Sequence, residues 1–260
     1  MNNFKIYGSK PITTVLVHGG PGAAGEMRQL ALELKNEYSI IEPYQTKKTI
    51  KYQVEELKDV ILKNCEYPVN LIGHSWGAWL CIILASEYPE IAKKLILVSS
   101  GGFEEHYAKS IDKNRFQRLS ATEQAEVKKL LMILKTNKHI EEKNKAFAKL
   151  GNLLSQADSY KLIEKDISSI NCQYDIFSKI WNEASTLRKS GKLLSYVEKL
   201  NCPVVAIHGS YDTHPAEGVN TPLSNILNDF KFFLLDRCGH IPWLEKYAHC
   251  KFHKIIKKEL

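Results

Sequence analysis

Ser75 sits in Gly73-His74-Ser75-Trp76-Gly77, a serine with a glycine two residues away on either side. A predicted strand over 69–72 runs into this segment and a predicted helix over 78–87 leaves it, which puts the serine on a sharp strand-to-helix turn. Such a turn strains the backbone by about 1–3 kcal/mol and projects the hydroxyl out of the sheet. The helix N-terminus then faces the point where negative charge would develop. A hydroxyl is a weak nucleophile at neutral pH, so it needs a base, and the base needs an acid to orient it. His240, in Arg237-Cys238-Gly239-His240 after the last predicted strand, fits the base; Asp212, in His208-Gly209-Ser210-Tyr211-Asp212 after the preceding one, fits the acid. The chain order Ser75, Asp212, His240 places one group in each of three strand-end loops.

Other residues compete for these places. Of the nine histidines, His18 reads as a brace for its own turn, and His106, His139, His249 and His253 fall in helical stretches. His208 precedes the turn of the acid, and His214 stands beside Pro215 at a helix start. Asp236, Glu104 and Glu105 are the alternatives to Asp212. Acyl transfer also needs fixed donors for its oxyanion, and losing one typically costs about 2.7–4 kcal/mol of barrier. The Trp76 amide, one residue after the serine, supplies one donor, and Gly20 in His18-Gly19-Gly20-Pro21-Gly22 supplies the second. That glycine run carries neither GxGxxG nor a GK[ST] ending, which argues against a phosphate loop.

The elements that hold these groups alternate. Short β-branched runs at 12–17, 38–42, 69–72, 94–98, 204–207 and 232–235 are interleaved with helical periods at 26–35, 49–64, 78–87 and from Trp243 to the end. That alternation marks parallel strands joined by crossover helices. Between 103 and 195 the strand signal vanishes; Ser120 and Glu123 are spaced as a capping box, followed by the stripe Val127, Leu130, Leu131, Leu134. The reading is an α/β core at 1–102 and 196–260 with an inserted helical cap at 103–195.

Composition narrows the classes. The chain has 260 residues, 44% hydrophobic and 25% charged, as a globular chain does, and its apolar runs fall short of the roughly 18 residues of a membrane span. The N-terminus lacks a signal-like apolar region, so the chain is expected in the cytoplasm. Six cysteines without a CxxC pair suggest neither a disulfide framework nor a zinc site. The net charge of +7 is spread thinly, and its one cluster, Lys246, Lys251, Lys254, Lys257 and Lys258, suits the wet face of a terminal helix. Nucleic acid and membrane are therefore not expected partners, a small-molecule substrate is, and self-association stays open.

The four motifs together resemble the α/β-hydrolase superfamily over 12–101 and 200–258. The His18–Gly22 run with a Ser-Trp-Gly turn is most similar to its proline iminopeptidase and esterase-like branch. Only 17 residues precede His18, so the edge hairpin that opens this fold is expected to be shortened or missing. The resemblance implies a mostly parallel sheet flanked by helices and hydrolysis through an acyl-enzyme on Ser75, with no metal or organic cofactor. A serine at the turn argues against the branches that use aspartate there, the dehalogenases and epoxide hydrolases. An aminopeptidase would need cap carboxylates for the substrate ammonium. Asp158, Asp166, Asp175 and Glu183 are the candidates, though each also reads as a solvated helix charge. Tyr160, Tyr174, Phe177, Trp181 and Tyr196 could line an acyl pocket or pack the cap, and Trp181 and Trp243 are the residues expected at the substrate. Three readings follow: an esterase-like serine hydrolase, a proline iminopeptidase-like aminopeptidase, and a non-catalytic small-molecule binder.

Overall fold

The computed structural model describes residues 3–136, 138–163 and 170–260. Its sheet is built from β1 (Phe4–Tyr7), β2 (Thr14–Val17), β4 (Ile40–Pro43), β5 (Val69–His74), β6 (Ala92–Val98), β8 (Val204–Gly209) and β9 (Phe230–Leu235), in the order β1-β4-β2-β5-β6-β8-β9. Every pairing in it is parallel except β1 with β4. The remaining strands, β3 (Ala23–Ala24) and β7 (Asn171–Cys172), form a two-residue antiparallel ladder of their own. The opening edge of the sheet is thus shortened rather than missing: one four-residue strand, paired from Phe4↔Pro43 to Tyr7↔Ile40.

Strands β2, β5 and β8 are buried along their whole length, which explains their unbroken apolar runs. Successive side chains feed opposite layers, as a period of two requires. Val15, Val17, Leu71 and Leu97 join the cluster under α2 (Ile50–Asn64) and α3 (Trp76–Glu87). Leu16, Ile72 and Ile96 join the one under α1 (Arg28–Leu34) and α11 (His249–Glu259). Helix α3 runs directly behind the serine turn and buries ten of its residues, so the turn rests on a fixed base.

Between β6 and β8 the chain passes through α4 (Glu105–Ala108), α5 (Ile111–Arg118), α6 (Ala121–Lys135), α7 (Ile140–Ala157), α8 (Tyr174–Lys189) and α9 (Lys192–Val197), and α10 (Glu217–Ile226) follows β8. Helix α6 opens with the Ser120–Glu123 capping box and packs with α7 around Val127, Leu130, Leu134 and Leu150. Helix α8 instead presses Ile176, Ile180 and Ala184 into the cluster that holds α3. The final helix begins later than its period suggests. Pro242–Leu244 forms a separate short 3₁₀ turn, and the buried Glu245 is tied to other loops before α11 starts. Among the described residues no helix is long and apolar enough to cross a membrane.

Candidate active site

Ser75 lies between β5 and α3 with φ 50° and ψ −113°, a conformation that residues with side chains rarely adopt. Close approach on both sides holds it there. A Cβ on Gly73 would stand 2.4 Å from the Gly77 carbonyl oxygen, and one on Gly77 would stand 2.3 Å from that of Val17. The Ser75 amide donates to Val98 O at 3.0 Å, which ties the turn to β6. Trp76 follows as the first residue of α3, where a backbone N–H has no partner within the helix.

Asp212 and His240 meet in the loops after β8 and β9. His240 Nδ1 lies 2.6 Å from Asp212 Oδ2. A buried carboxylate can only accept, so this nitrogen donates and Nε2 is the basic one. Tyr211 N donates to Cys238 O at 2.8 Å, holding the two loops side by side. Burial pushes the Asp212 carboxyl up, but His240, then His214, and their hydrogen bonds hold it well below the ordinary aspartate value. His214 is the residue that the sequence did not single out: its Nδ1 lies 2.8 Å from Asp212 Oδ1, and its amide donates to the same oxygen at 2.9 Å. Its signal was there in the spacing, two residues after the acid. His208 is buried beneath, its Nε2 donating to His214 O at 2.9 Å, and burial pulls its value down.

The glycine loop is fastened to both. Glu26 Oε2 accepts the Gly19 amide at 2.6 Å and lies 3.0 Å from His74 Nδ1. The opposite nitrogen of His74 donates to His240 O at 2.9 Å. His74, the neighbour of Ser75, therefore links the glycine loop to the histidine loop. With Gly19 N spent on Glu26, Gly20 is the next amide of that loop. His18 is fully buried with Nδ1 donating to Gly19 O at 2.8 Å, a brace for the turn.

Two of the competing acids are engaged elsewhere: Asp236 pairs with Arg237 at 3.4 Å, and Glu105 with Arg188 at 2.9 Å. Of the four carboxylates weighed for a substrate ammonium, the three described ones are likewise engaged. Asp158 is buried and held by Arg115 through Nε at 2.8 Å and Nη2 at 2.6 Å; burial raises its carboxyl, but the Arg115 charge and hydrogen bonds leave it below the ordinary value. Asp175 pairs with Lys48 at 2.5 Å and Lys179 at 3.1 Å, and Glu183 accepts the Ile50 amide at the start of α2. Asp166 lies outside the described residues.

Trp243 needs correction as a substrate contact. It is 1% exposed and stands edge-on to His74, ring centroids 4.8 Å apart, so it packs against the neighbour of Ser75. Trp181 is half-buried and stacks on Trp79 of α3 at 6.2 Å and on Phe177 at 6.1 Å. Glu245 is a further residue that the sequence did not point to. Fully buried, it accepts the amides of Tyr160 and Lys161, both at 2.7 Å, and of Gly239 at 2.9 Å.

Comparison with known proteins agrees with this architecture. A family model described as the alpha/beta hydrolase fold matches residues 46–247. A cis-3-alkyl-4-alkyloxetan-2-one decarboxylase of Shewanella oneidensis is 26% identical over 103 residues, which cover 34% of this chain and 32% of that protein. The match thus spans about a third of that relative. Among solved structures, VinJ aligns at TM-score 0.70 and 16% identity over 98% of this chain and 93% of its own. A putative lipase from Acinetobacter baumannii AYE aligns at TM-score 0.65 and 18% identity over 98% and 87%. At such identities the structural likeness is one of fold. The family match, covering well over half of the residues, carries the assignment: the chain belongs to the α/β-hydrolase fold family.

Proposed function

We propose that the protein is a serine hydrolase that cleaves a small ester or related acyl bond through an acyl-enzyme on Ser75. The observation that carries this reading is the pairing of a strained serine turn, φ 50° and ψ −113°, with a buried Asp212 that grips His240 at 2.6 Å. A protein that merely binds a ligand gains nothing from strain at a serine. In the proposed cycle Ser75 Oγ attacks the acyl carbon while its proton passes to His240 Nε2. The oxyanion is received by the amides of Gly20 and Trp76, and the imidazolium is stabilised by Asp212. His240 then protonates the leaving group, and a water that gives its proton to His240 attacks the acyl-enzyme and frees Ser75.

The aminopeptidase alternative loses support from the cap. Among the described candidates, Asp158, Asp175 and Glu183 each already hold a protein partner, so a substrate ammonium bound by one of them would compete with that partner. A neutral acyl substrate needs no such exchange. The helices between β6 and β8 are the natural cap of this site, with Trp181 on α8 as an apolar contact.

Hydrolysis of p-nitrophenyl acetate and butyrate is compared with that of proline p-nitroanilide, for wild type and Ser75→Ala. Ester turnover abolished by the alanine, with fluorophosphonate labelling of wild type only, is the expected result. Dominant anilide cleavage moves the assignment to the aminopeptidase. Inertness of a folded wild type to all three substrates and to the probe removes the serine-hydrolase reading.

A further inference from the structure

Asp212 is hydrogen-bonded to two imidazoles, and a third, that of His208, lies with Nε2 3.5 Å from Oδ2. Its Oδ2 receives His240 Nδ1 at 2.6 Å, while its Oδ1 receives both the amide of His214 at 2.9 Å and its Nδ1 at 2.8 Å. A carboxylate held through one oxygen can swing about its terminal torsion, which is broad. Two donors from one residue on the second oxygen remove that freedom. The His214 ring also lies against the His240 ring, centroids 4.4 Å apart and planes 23° from parallel, with side chains 11% and 12% exposed. His240 thus has one edge on the carboxylate and one face on another imidazole, so tilting the ring breaks either the bond or the stack. His214 is itself anchored, because its carbonyl accepts from the buried His208.

We propose that His214 is a positioning residue for the base: it clamps Asp212 through Oδ1 and backs the His240 ring, so that Nε2 keeps one direction through the proton transfers at Ser75. This rests on the triad reading of Ser75, Asp212 and His240. Because ionised Asp212 only accepts, both Nδ1 atoms carry hydrogen, and the neutral tautomer of His214 is set by the same oxygen pair that sets that of His240. His214 has no bond to make or break in the reaction. Its effect falls on the chemical step and leaves substrate binding alone.

The test uses the full chain and the p-nitrophenyl ester that wild type turns over. Three variants are compared: Ser75→Ala, His214→Phe, which keeps a stacking ring without the donor, and His214→Asn, whose amide N–H can reach Oδ1. His214→Phe is expected to lower kcat by on the order of tenfold to a hundredfold with KM unchanged, as loss of orientation does. His214→Asn is expected to recover most of that loss. In wild type, the downfield proton spectrum should include two imidazole N–H resonances from the donors to Asp212, and these should vanish together in Asp212→Asn. His214→Phe should remove one and broaden or move the other. Wild-type kcat with an unmoved His240 resonance in His214→Phe overturns the proposal. Equal loss in Phe and Asn variants, tracking a fall in Tm, also overturns it and leaves a packing role. A folded wild type that neither turns over esters nor labels at Ser75 removes the triad reading, and the proposal falls with it.

Discussion

At the scale of a residue, Asp212 has two duties, because a buried ion that orients a base also ties the stability of the fold to pH. Its folded value lies well below the 3.8 of an unconstrained aspartate, owing to His240 and His214 acting against burial. A lowered carboxylate stabilises the fold above the unfolded value, and that contribution drains away as pH falls through the folded one. Asp212→Asn should therefore flatten the loss of stability on acidification below about pH 4, read as urea midpoints down an acid series. The same variant should lower kcat by on the order of 10⁴-fold, since an amide can face His240 with the wrong group and favour the wrong tautomer. A variant that keeps near-wild-type turnover would remove Asp212 from the mechanism. Ser75→Ala tests the partner group: on an ester substrate it should leave no measurable turnover while the Tm stays within a few degrees of wild type.

At the scale of an element, the edge strand β1 carries a second titratable device. Glu42 on β4 is fully buried, accepts the Tyr7 hydroxyl at 2.8 Å and the Met27 amide at 3.1 Å, and burial pushes its carboxyl up to about 7. Between the ordinary 4.5 and that value the folded chain holds a proton that the unfolded chain has lost, so stability declines as pH rises across the interval. At about 1.4 kcal/mol per unit, this is worth up to roughly 3 kcal/mol. Glu42→Gln should remove most of that decline, measured as Tm at pH values from about 5 to about 8; an unchanged slope in the variant would mean that Glu42 ionises freely in the fold. This strand was hard to read in the sequence. Phe4-Lys5-Ile6-Tyr7 is four residues with only Tyr7 buried, too short and too wet for a periodic signal. The central strands were legible because both faces are buried, and the serine turn because β5 and α3 frame it with glycines that packing demands. The start of α11 was misplaced, since helical spacing from Trp243 onward carries no trace of Glu245 reaching back to Gly239, Tyr160 and Lys161. The place of His214 two residues after the acid was legible, but its two bonds to Asp212 came only with the folded loop, and the partner of Asp158 lies 43 residues away at Arg115.

At the scale of the whole molecule, the helices between β6 and β8 are fastened to the very loops that carry the acid and the base. Arg115 on α5 grips Asp158 at the end of α7, and Asp158 accepts the Thr213 hydroxyl through its carboxylate and the His240 amide through its carbonyl at 2.9 Å. Arg118 on the same helix donates to Tyr211 O at 2.7 Å and lies over the Tyr211 ring at 3.7 Å. Helix α5 and the end of α7 therefore hold Tyr211 to Thr213 on one side and His240 on the other, and the site cannot relax independently of them. Replacing Arg115 by Met leaves the Asp158 carboxylate buried, 4% exposed, with its counter-charge gone. That should cost about 3–5 kcal/mol, whereas replacing both partners with apolar residues costs far less, because no orphaned charge remains. Arg115→Met should thus lose stability heavily, and Arg115→Met with Asp158→Leu should recover much of it, both read as urea midpoints. The double variant still lacks the acceptor for Thr213, next to Asp212, so its kcat should stay below wild type even where its stability has returned. Recovery of stability and kcat together would show that these helices merely shelter the site; stability restored with kcat still depressed would show that they also set the geometry of the acid loop.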